Sequence, residues 1–453
     1  NDVPHIGHAY TTVAADVLAR YHRLAGDTVL FITGTDEHGQ KVQEAARRRG
    51  ISPQLHCDEM VLRYRELWSA LNISNDDFIR TTEDRHKKIV REVLAALHAK
   101  GDIYKTSYEG WYCVPDERFW TEKDLAGGRC PECGREVQQI EESNYFFRMS
   151  SYQQWLISYI NEHRDFILPR TRRNEILGFL RQPLTDLCIS RPRQRLSWGI
   201  PIPFDEEYVT YVWFDALINY VSTAGYRTRD REFFPFWENA VHLIGKDILT
   251  THCVYWPTML RALGLSPPRT IFAHGWWTVE GQKMSKSLNN VVDPSSLVRD
   301  FGVDAVRFFL LREGTFGLDA DFSRTAFIHR VNGDLANDLG NLFNRTLAMT
   351  SKYFGGVIPA PSAPGDTDRR LQETAVEAVK KVHAAMEEIA FHRALDAVWE
   401  LVGMTNKYID ESAPWSLAKR AGAEEQLATV MYHVLESLRF IAVLLFPFIP
   451  ASA

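Results

Sequence analysis

Lys283-Met284-Ser285-Lys286-Ser287 sets two ammonium groups and two hydroxyls on a loop that opens with Glu280-Gly281-Gln282. On its own such a loop reads as a solvated surface turn. Its partner stands at the other end of the chain, where His5-Ile6-Gly7-His8 precedes a helical stripe of Val13, Val17, Leu18 and Tyr21. Histidines three apart fall on one side of a first helical turn, beside unpaired backbone N–H groups and the positive end of the helix dipole, where a phosphate is well received. Gly7 leaves room there for a flat base. A histidine pair that only caps the helix fits the same residues.

Val29-Leu30-Phe31-Ile32 has the continuous apolar character of a strand buried in a parallel sheet, and it runs into Thr33-Gly34-Thr35-Asp36-Glu37-His38-Gly39. Ligands of open α/β sheets bind beyond the carboxyl ends of strands, so Asp36 is placed to pair with a substrate ammonium. It fits almost as well as the N-cap of a helix over 40–49. The rhythm returns at Tyr211-Val212-Trp213-Phe214-Asp215-Ala216, where Trp213, Ala216, Leu217 and Tyr220 share one helical face, as a pocket wall or a core stripe. Val241-His242-Leu243-Ile244 leads into Gly245-Lys246-Asp247, and Ile271-Phe272-Ala273-His274-Gly275 stands immediately before the Lys/Ser loop. Polar groups gather repeatedly where strands end.

From Tyr104 aromatics, short alternating runs and Gly/Pro turns replace this rhythm, which reads as an inserted domain over 104–209. It holds Cys113-Val114-Pro115-Asp116 and, after a Gly127-Gly128 turn, Cys130-Pro131-Glu132-Cys133-Gly134. Three thiolates and one carboxylate on two tight turns, Cys113, Asp116, Cys130 and Cys133, can close a tetrahedral Zn²⁺ site. Cys57, Cys188 and Cys253 have no such spacing and read as buried hydrophobes. Seven arginines lie between Arg170 and Arg195, most simply a solvated charged face.

With 453 residues, 45% of them hydrophobic, the chain can bury a large core and suggests about three domains. A net charge of −6 excludes a protein coated in basic surface, so nucleic acid would be met by local patches. Six unevenly spaced cysteines, with a Cys-x-x-Cys among them, point to a reducing compartment, and a cytoplasmic location is expected; the chain opens at Asn1, so a trimmed presequence and an organellar matrix fit too. The longest apolar run, 440–449, contains Pro447 and falls short of the ~20 residues that span a bilayer, so no membrane contact is expected. After the Lys/Ser loop Asp293-Pro294 starts a helix and the remainder reads as helical. Leu335, Leu339, Leu342 and Phe343 form one stripe, with Asn341 and Arg345 opposite it. Further helices are predicted over 391–409 and 424–445, with Ala413-Pro414-Trp415 between them and a linker over 355–365.

The His signature, Gly-Thr-Asp-Glu-His-Gly at 34–39, Tyr-Val-Trp-Phe-Asp-Ala at 211–216, Ile-Gly-Lys-Asp at 244–247, the Lys/Ser signature and Ala-Pro-Trp at 413–415 occur in one order. Together they resemble the methionyl-tRNA synthetase family of class I aminoacyl-tRNA synthetases, over essentially the whole chain. The resemblance implies an α/β fold with a Rossmann-type parallel sheet split by a connective insert and followed by an α-helical bundle. The expected divisions are 1–103 and 210–275 for the catalytic halves, 104–209 for the insert, 276–328 for the signature loop and stem-contact segment, and 329–453 for an anticodon-binding bundle.

By the same resemblance His5, His8, Lys283 and Lys286 do catalytic work, with Gly7, Lys246 and Asp247 also at ATP positions. Asp36 takes the methionine ammonium, and Trp213, Ala216, Tyr220 and His274 line its side-chain pocket. Asn341, Arg345 and Trp415 meet the CAU anticodon of tRNA(Met), whose acceptor stem is also bound, and Mg²⁺ accompanies ATP. The family has a strand and a tyrosine-containing turn ahead of the His signature, which this sequence does not include. It also has Gly where Asn289 stands, and its single-knuckle members have Cys where Asp116 stands. An adenylating enzyme that never charges tRNA would have no use for the bundle. A non-catalytic paralogue would not need His5, His8 and Lys286.

Overall fold

A computed structural model describes residues 3–115, 118–120, 122–284 and 291–453. The chain forms two compact units, one of Asn1–Val3, Leu30–Glu66 and Asn75–Ala273, the other of Pro4–Val29, Leu67–Ser74 and His274–Ala453. The fold is α/β with parallel strand pairing, an antiparallel interruption and a helical C-terminal region.

In the first unit the strand Ile32–Thr35 pairs in parallel with Asp77–Arg80. The predicted strand at 29–32 begins later than expected because the Phe31 N–H donates to the Asp76 carboxylate at 2.6 Å instead of joining a ladder. Gly34 is required in that strand, since a Cβ there would stand 2.1 Å from the Ile79 carbonyl oxygen. Val241–Gly245, Thr270–His274 and Ile167–Leu168 form a second sheet, with Ile167 paired in parallel to Ile271. This corrects the insert as predicted over 104–209. Its antiparallel part comprises the sheet of Arg118–Trp120, Ile103–Cys113, Gln138–Phe147 and Leu187–Cys188 and a three-stranded sheet of Ser190–Pro192, Asp205–Thr210 and Pro201–Ile202, whereas Ile167–Leu168 pairs in parallel with Thr270–His274. A two-residue strand has no period to read, so the sequence could not signal it. The arginine-rich stretch also differs from expectation: Arg191 is 3% exposed, with its guanidinium over the rings of Tyr112 and Tyr211.

The second unit contains the helix Ile6–Ala25 and the helices after His274. Asp293 caps the helix Pro294–Phe301 through the Ser295 N–H at 2.9 Å, with Pro294 in the first turn, as the sequence indicates. A strand, Ala320–Phe322, interrupts the expected run of helices and pairs in parallel with Trp277–Val279. The segment Val331–Gly340 is a π-helix, whose wider turn shifts the phase of the predicted stripe. Leu342 is buried, but Phe343 is 53% exposed. Asp366–Glu387, Phe391–Ser412 and Glu424–Leu445 pack together as the bundle. By length and composition the last of these could cross a bilayer. Here its stripe of Leu427, Val430, Met431, Val434, Leu438 and Ile441 is buried inside the protein, each side chain contributing about 1.5–3 kcal/mol.

One ion pair fixes this unit internally. Arg307 and Asp16, both 0% exposed, meet at 2.7 Å, and the other Arg307 donors reach the carbonyls of Leu71, Pro447 and Phe448 at 2.9–3.0 Å. Arg307→Met would leave the Asp16 charge and those carbonyls short of partners, so it is expected to cost about 3–5 kcal/mol in urea unfolding of the intact chain. A loss below about 1 kcal/mol would show that water or neighbours replace the guanidinium.

Candidate active site

Asp36 follows the strand Ile32–Thr35 directly, at its carboxyl end. The helix Gln40–Arg49 is capped by Gly39 without any side-chain bond, so the capping role open to Asp36 in the sequence is not taken up. Its neighbours are committed elsewhere. Glu37 is 3% exposed and accepts from Arg80 at 2.8 and 3.0 Å, from Thr35 at 2.8 Å and from Thr82 at 2.5 Å, while its own N–H donates to Thr81 at 2.9 Å. The Trp198 indole N–H donates to the Glu37 carbonyl at 2.6 Å. The Asp36 side chain keeps access to solvent, and among the described residues no donor holds it. The surrounding protein still strips part of its water, and the Asp215 charge adds to this, so its carboxyl is pushed up to about 6.

Asp215 is the opposite case. It is 1% exposed and receives His38 Nδ1 at 2.5 Å and His86 Nε2 at 2.6 Å. Burial alone would raise its carboxyl, but the two rings hold it down at about 2. Trp213 and Ala216 flank it on the helix Val212–Leu217, which ends before a second helix, Asn219–Ala224, carrying Tyr220. The single helix expected here is thus broken at Ile218.

Tyr220 stacks on His242 with ring centroids 4.0 Å apart, and its hydroxyl lies 2.9 Å from His252 Nε2. His252 Nδ1 is 3.0 Å from the Ile248 carbonyl, which fixes Nδ1–H as the donor and leaves Nε2 to accept the tyrosine proton. Burial pushes His252 down to about 4 and His242 to about 3, so both stay neutral. Trp213 meets the His252 ring edge-on at 6.4 Å. The result is an aromatic wall with internally committed donors, suited to an apolar side chain. Lys246 and Asp247 form the turn after the strand Val241–Gly245, again at a carboxyl end.

The His signature belongs to the other unit. His5 Nδ1 accepts the Gly7 N–H at 3.1 Å, and His8 Nδ1 accepts the His5 N–H at 3.2 Å. The helix-capping reading is therefore correct, and it does not displace the functional one. With Nδ1 accepting, each neutral ring carries its proton on Nε2, a donor directed away from the cap. The Ile6 N–H donates to the Val292 carbonyl at 3.3 Å, tying the signature to the chain just past the Lys/Ser loop. Lys283 ends the strand Gln282–Lys283; Lys286 lies outside the described residues. His274, expected beside Trp213, Ala216 and Tyr220, falls in this second unit, with Nε2 2.7 Å from the Thr11 hydroxyl.

Farther along this unit a cleft of about 440 Å³ is lined by Asn337, Asn341, Arg345, Trp399, Asn406 and Asp410. Arg345 is held by Asn406 at 2.8 Å and Asp410 at 3.3 Å. Trp415 does not line the cleft; it is 41% exposed on the short helix Pro414–Leu417. In the first unit the sulfurs of Cys113, Cys130 and Cys133 lie within 4.8 Å of one another, Cys113 and Cys133 at 3.5 Å. Gly134, at φ 69°, closes the knuckle by donating to the Cys130 carbonyl at 2.9 Å. Tetrahedral Zn–S bonds of about 2.3 Å separate sulfurs by roughly 3.8 Å, so the cluster fits zinc. Asp116 lies outside the described residues.

The sequence matches the family described as tRNA synthetases class I (M) over residues 1–143 and 136–347, and the anticodon binding domain of methionyl tRNA ligase over 358–453. The chain belongs to the methionine–tRNA ligases. The enzyme of that name from Clostridium perfringens is 54% identical over 451 residues, covering 99% of this chain and 70% of the relative; that of Caldanaerobacter subterraneus is 51% identical with the same coverage. A crystal structure of Mycobacterium tuberculosis methionyl-tRNA synthetase bound by methionyl-adenylate superposes with a TM-score of 0.95 at 42% identity, covering 99% of this chain and 90% of that one.

Within this methionine–tRNA ligase, sequence reasoning passed over Glu37, His38, His86, Asp215, His252 and Trp399. His38 and Asp215 sit inside motifs already singled out, so a buried acid two residues from Trp213 was a usable signal. His86, His252 and Trp399 carry no local signal and are brought into place by tertiary structure alone. The exposure of Trp415 sets it apart from a core aromatic. Trp415→Ala is expected to shift the unfolding free energy by less than about 1 kcal/mol, against about 3–5 kcal/mol for a buried tryptophan, as read by urea titration.

Proposed function

We propose that this methionine–tRNA ligase uses Asp36 to hold the methionine ammonium and the wall of Trp213, Ala216 and Tyr220, with His274, to receive the thioether side chain. The methionine carboxylate attacks the α-phosphorus of Mg²⁺-bound ATP, the bond to the bridging oxygen breaks, and pyrophosphate leaves. The attacking group is already ionised, so no general base is needed. The protein's work is to position the reactants and neutralise growing phosphate charge. Nε2–H donors on His5 and His8, the close approach allowed by Gly7, and Lys246, Asp247, Lys283 and Lys286 are suited to that work. The 2′-hydroxyl of the terminal tRNA adenosine then takes the methionyl group, as in class I enzymes.

The observation that carries this reading is that the catalytic-family match and the anticodon-domain match run through one chain. We assign Asn341, Arg345 and the exposed Trp415 to the CAU anticodon of tRNA(Met), since unstacked bases are read by aromatic stacking and by hydrogen bonds to their edges. We place the reaction in the cytoplasm, where thiols stay reduced. A crossed pair of variants tests the division of labour. Lys286→Ala is expected to lower methionine-dependent ATP–pyrophosphate exchange by roughly 100-fold or more, with methionine binding nearly intact. Trp415→Ala is expected to raise the KM for tRNA with a CAU anticodon by roughly ten-fold or more and leave that exchange unchanged. Full exchange activity in the first variant, or joint loss of both activities in the second, would contradict the assignment.

Cys113, Cys130 and Cys133, with Asp116 as fourth ligand, would hold Zn²⁺ as a closed structural site that braces the insert and takes no part in the chemistry. Elemental analysis of protein purified without chelator is expected to find about one equivalent, and less than about a tenth would mean a metal-free knuckle.

A further inference from the structure

Asp215 is a buried, ionised carboxylate held between two histidine rings. As a contribution to stability alone it is a poor choice. Taking the charge out of water costs several kcal/mol, and a well-packed apolar residue would serve the fold at least as well. What the carboxylate does provide is direction. Its two oxygens are taken by two rings from separate parts of the chain: His38 from the loop after the strand Ile32–Thr35, and His86 from the helix Asp84–Lys100. His86 is anchored in turn by Ser222 Oγ, 2.9 Å from its Nδ1, on the helix that carries Tyr220.

We propose that Asp215 is a positioning residue for methionine: through His38 and His86 it locks the loop that carries Asp36 to the helix that carries Trp213 and Ala216. The proposal rests on the reading of those residues as the methionine site. His38 stands two residues after Asp36, and Asp215 lies between Trp213 and Ala216, so the bond of 2.5 Å joins the ammonium-binding and side-chain-binding elements with little slack. Distances between these two elements set whether one amino acid can reach both at once. Loss of the lock would therefore show in methionine recognition before it shows in ATP use.

Asp215 also acts through its charge. The groups facing Asp36 are Asp215 and Tyr220 on the two short helices, His86 on the helix Asp84–Lys100, and Glu37 and His38 on its own loop. Among the charged groups, Asp215 is the strongest in opposing ionisation of Asp36. Methionine binds when Asp36 is ionised, so the affinity falls as pH drops through the Asp36 titration. Removing the Asp215 charge is expected to move that fall to lower pH.

The test is ATP–pyrophosphate exchange with the full chain, measuring KM for methionine, KM for ATP and the pH profile of kcat/KM for methionine. Asp215→Asn is expected to raise the methionine KM by about ten-fold or more, leave the ATP KM within about two-fold, and shift the acid limb to lower pH. An unchanged methionine KM, a parallel rise in both constants, or an acid limb that stays in place would overturn the proposal. Should Asp215→Asn fail to fold, His38 decides. His38→Ala is expected to raise the methionine KM by about ten-fold, and His38→Asn, which keeps an N–H near the Nδ1 position, to restore it to within about three-fold. Equal effects of the two would overturn the proposal. Asp36→Asn in the wild-type background tests the underlying reading separately: an unchanged methionine KM there removes Asp36 from the site, whatever the Asp215 variants do.

Discussion

Asp16 is the constraint on which the second unit depends. One carboxylate with no solvent exposure takes the guanidinium of Arg307 at 2.7 Å, Arg20 at 2.8 Å, and the N–H and hydroxyl of Ser74 at 2.7 and 2.6 Å. A buried charge is tolerable only when its lone pairs are filled, and here every oxygen is engaged. The helix Ile6–Ala25 is thereby pinned near its middle to the helix Val303–Arg312, and the direction of its first turn is set. That turn is the His signature. Its rings are locked by their own capping bonds, so any error in helix direction would pass straight to the two Nε2 donors.

The first unit follows a related logic with a different carboxylate. Asp215 and Glu37 are filled by internal partners, and Asp36 is left open to solvent. Neighbouring acids therefore divide into those that hold the site and one that can meet a ligand. The same division appears in the histidines: His242 and His252 are kept neutral by burial and act as acceptors for Trp256 and Tyr220. A site built in this way presents few unsatisfied groups beyond those its ligand will use.

Much of this was legible in the sequence, for identifiable reasons. Motifs of contiguous residues could be placed at strand ends, helix starts or tight turns, as at His5–His8, Asp36 and the Cys113, Cys130 and Cys133 knuckle. Helices with a clean period were placed to within a few residues, Phe391–Ser412 and Glu424–Leu445 among them. Where the period itself changed, reading failed. The π-helical turn over Val331–Gly340 put Phe343 on the surface, and the two-residue strand Ile167–Leu168 was absorbed into the insert. Partners supplied from far along the chain, such as His86 for Asp215 and Arg307 for Asp16, leave no local trace at all.

Which amino acid this chain activates is measured most directly by ATP–pyrophosphate exchange with each of the standard amino acids supplied singly. In the proposed site an open carboxylate at Asp36 would pair with the ammonium, and the aromatic wall of Trp213, Tyr220 and His252 would receive an apolar side chain. Exchange should rise with methionine far above every other amino acid. Exchange that is greatest with a different amino acid, or absent with all of them, would contradict the account.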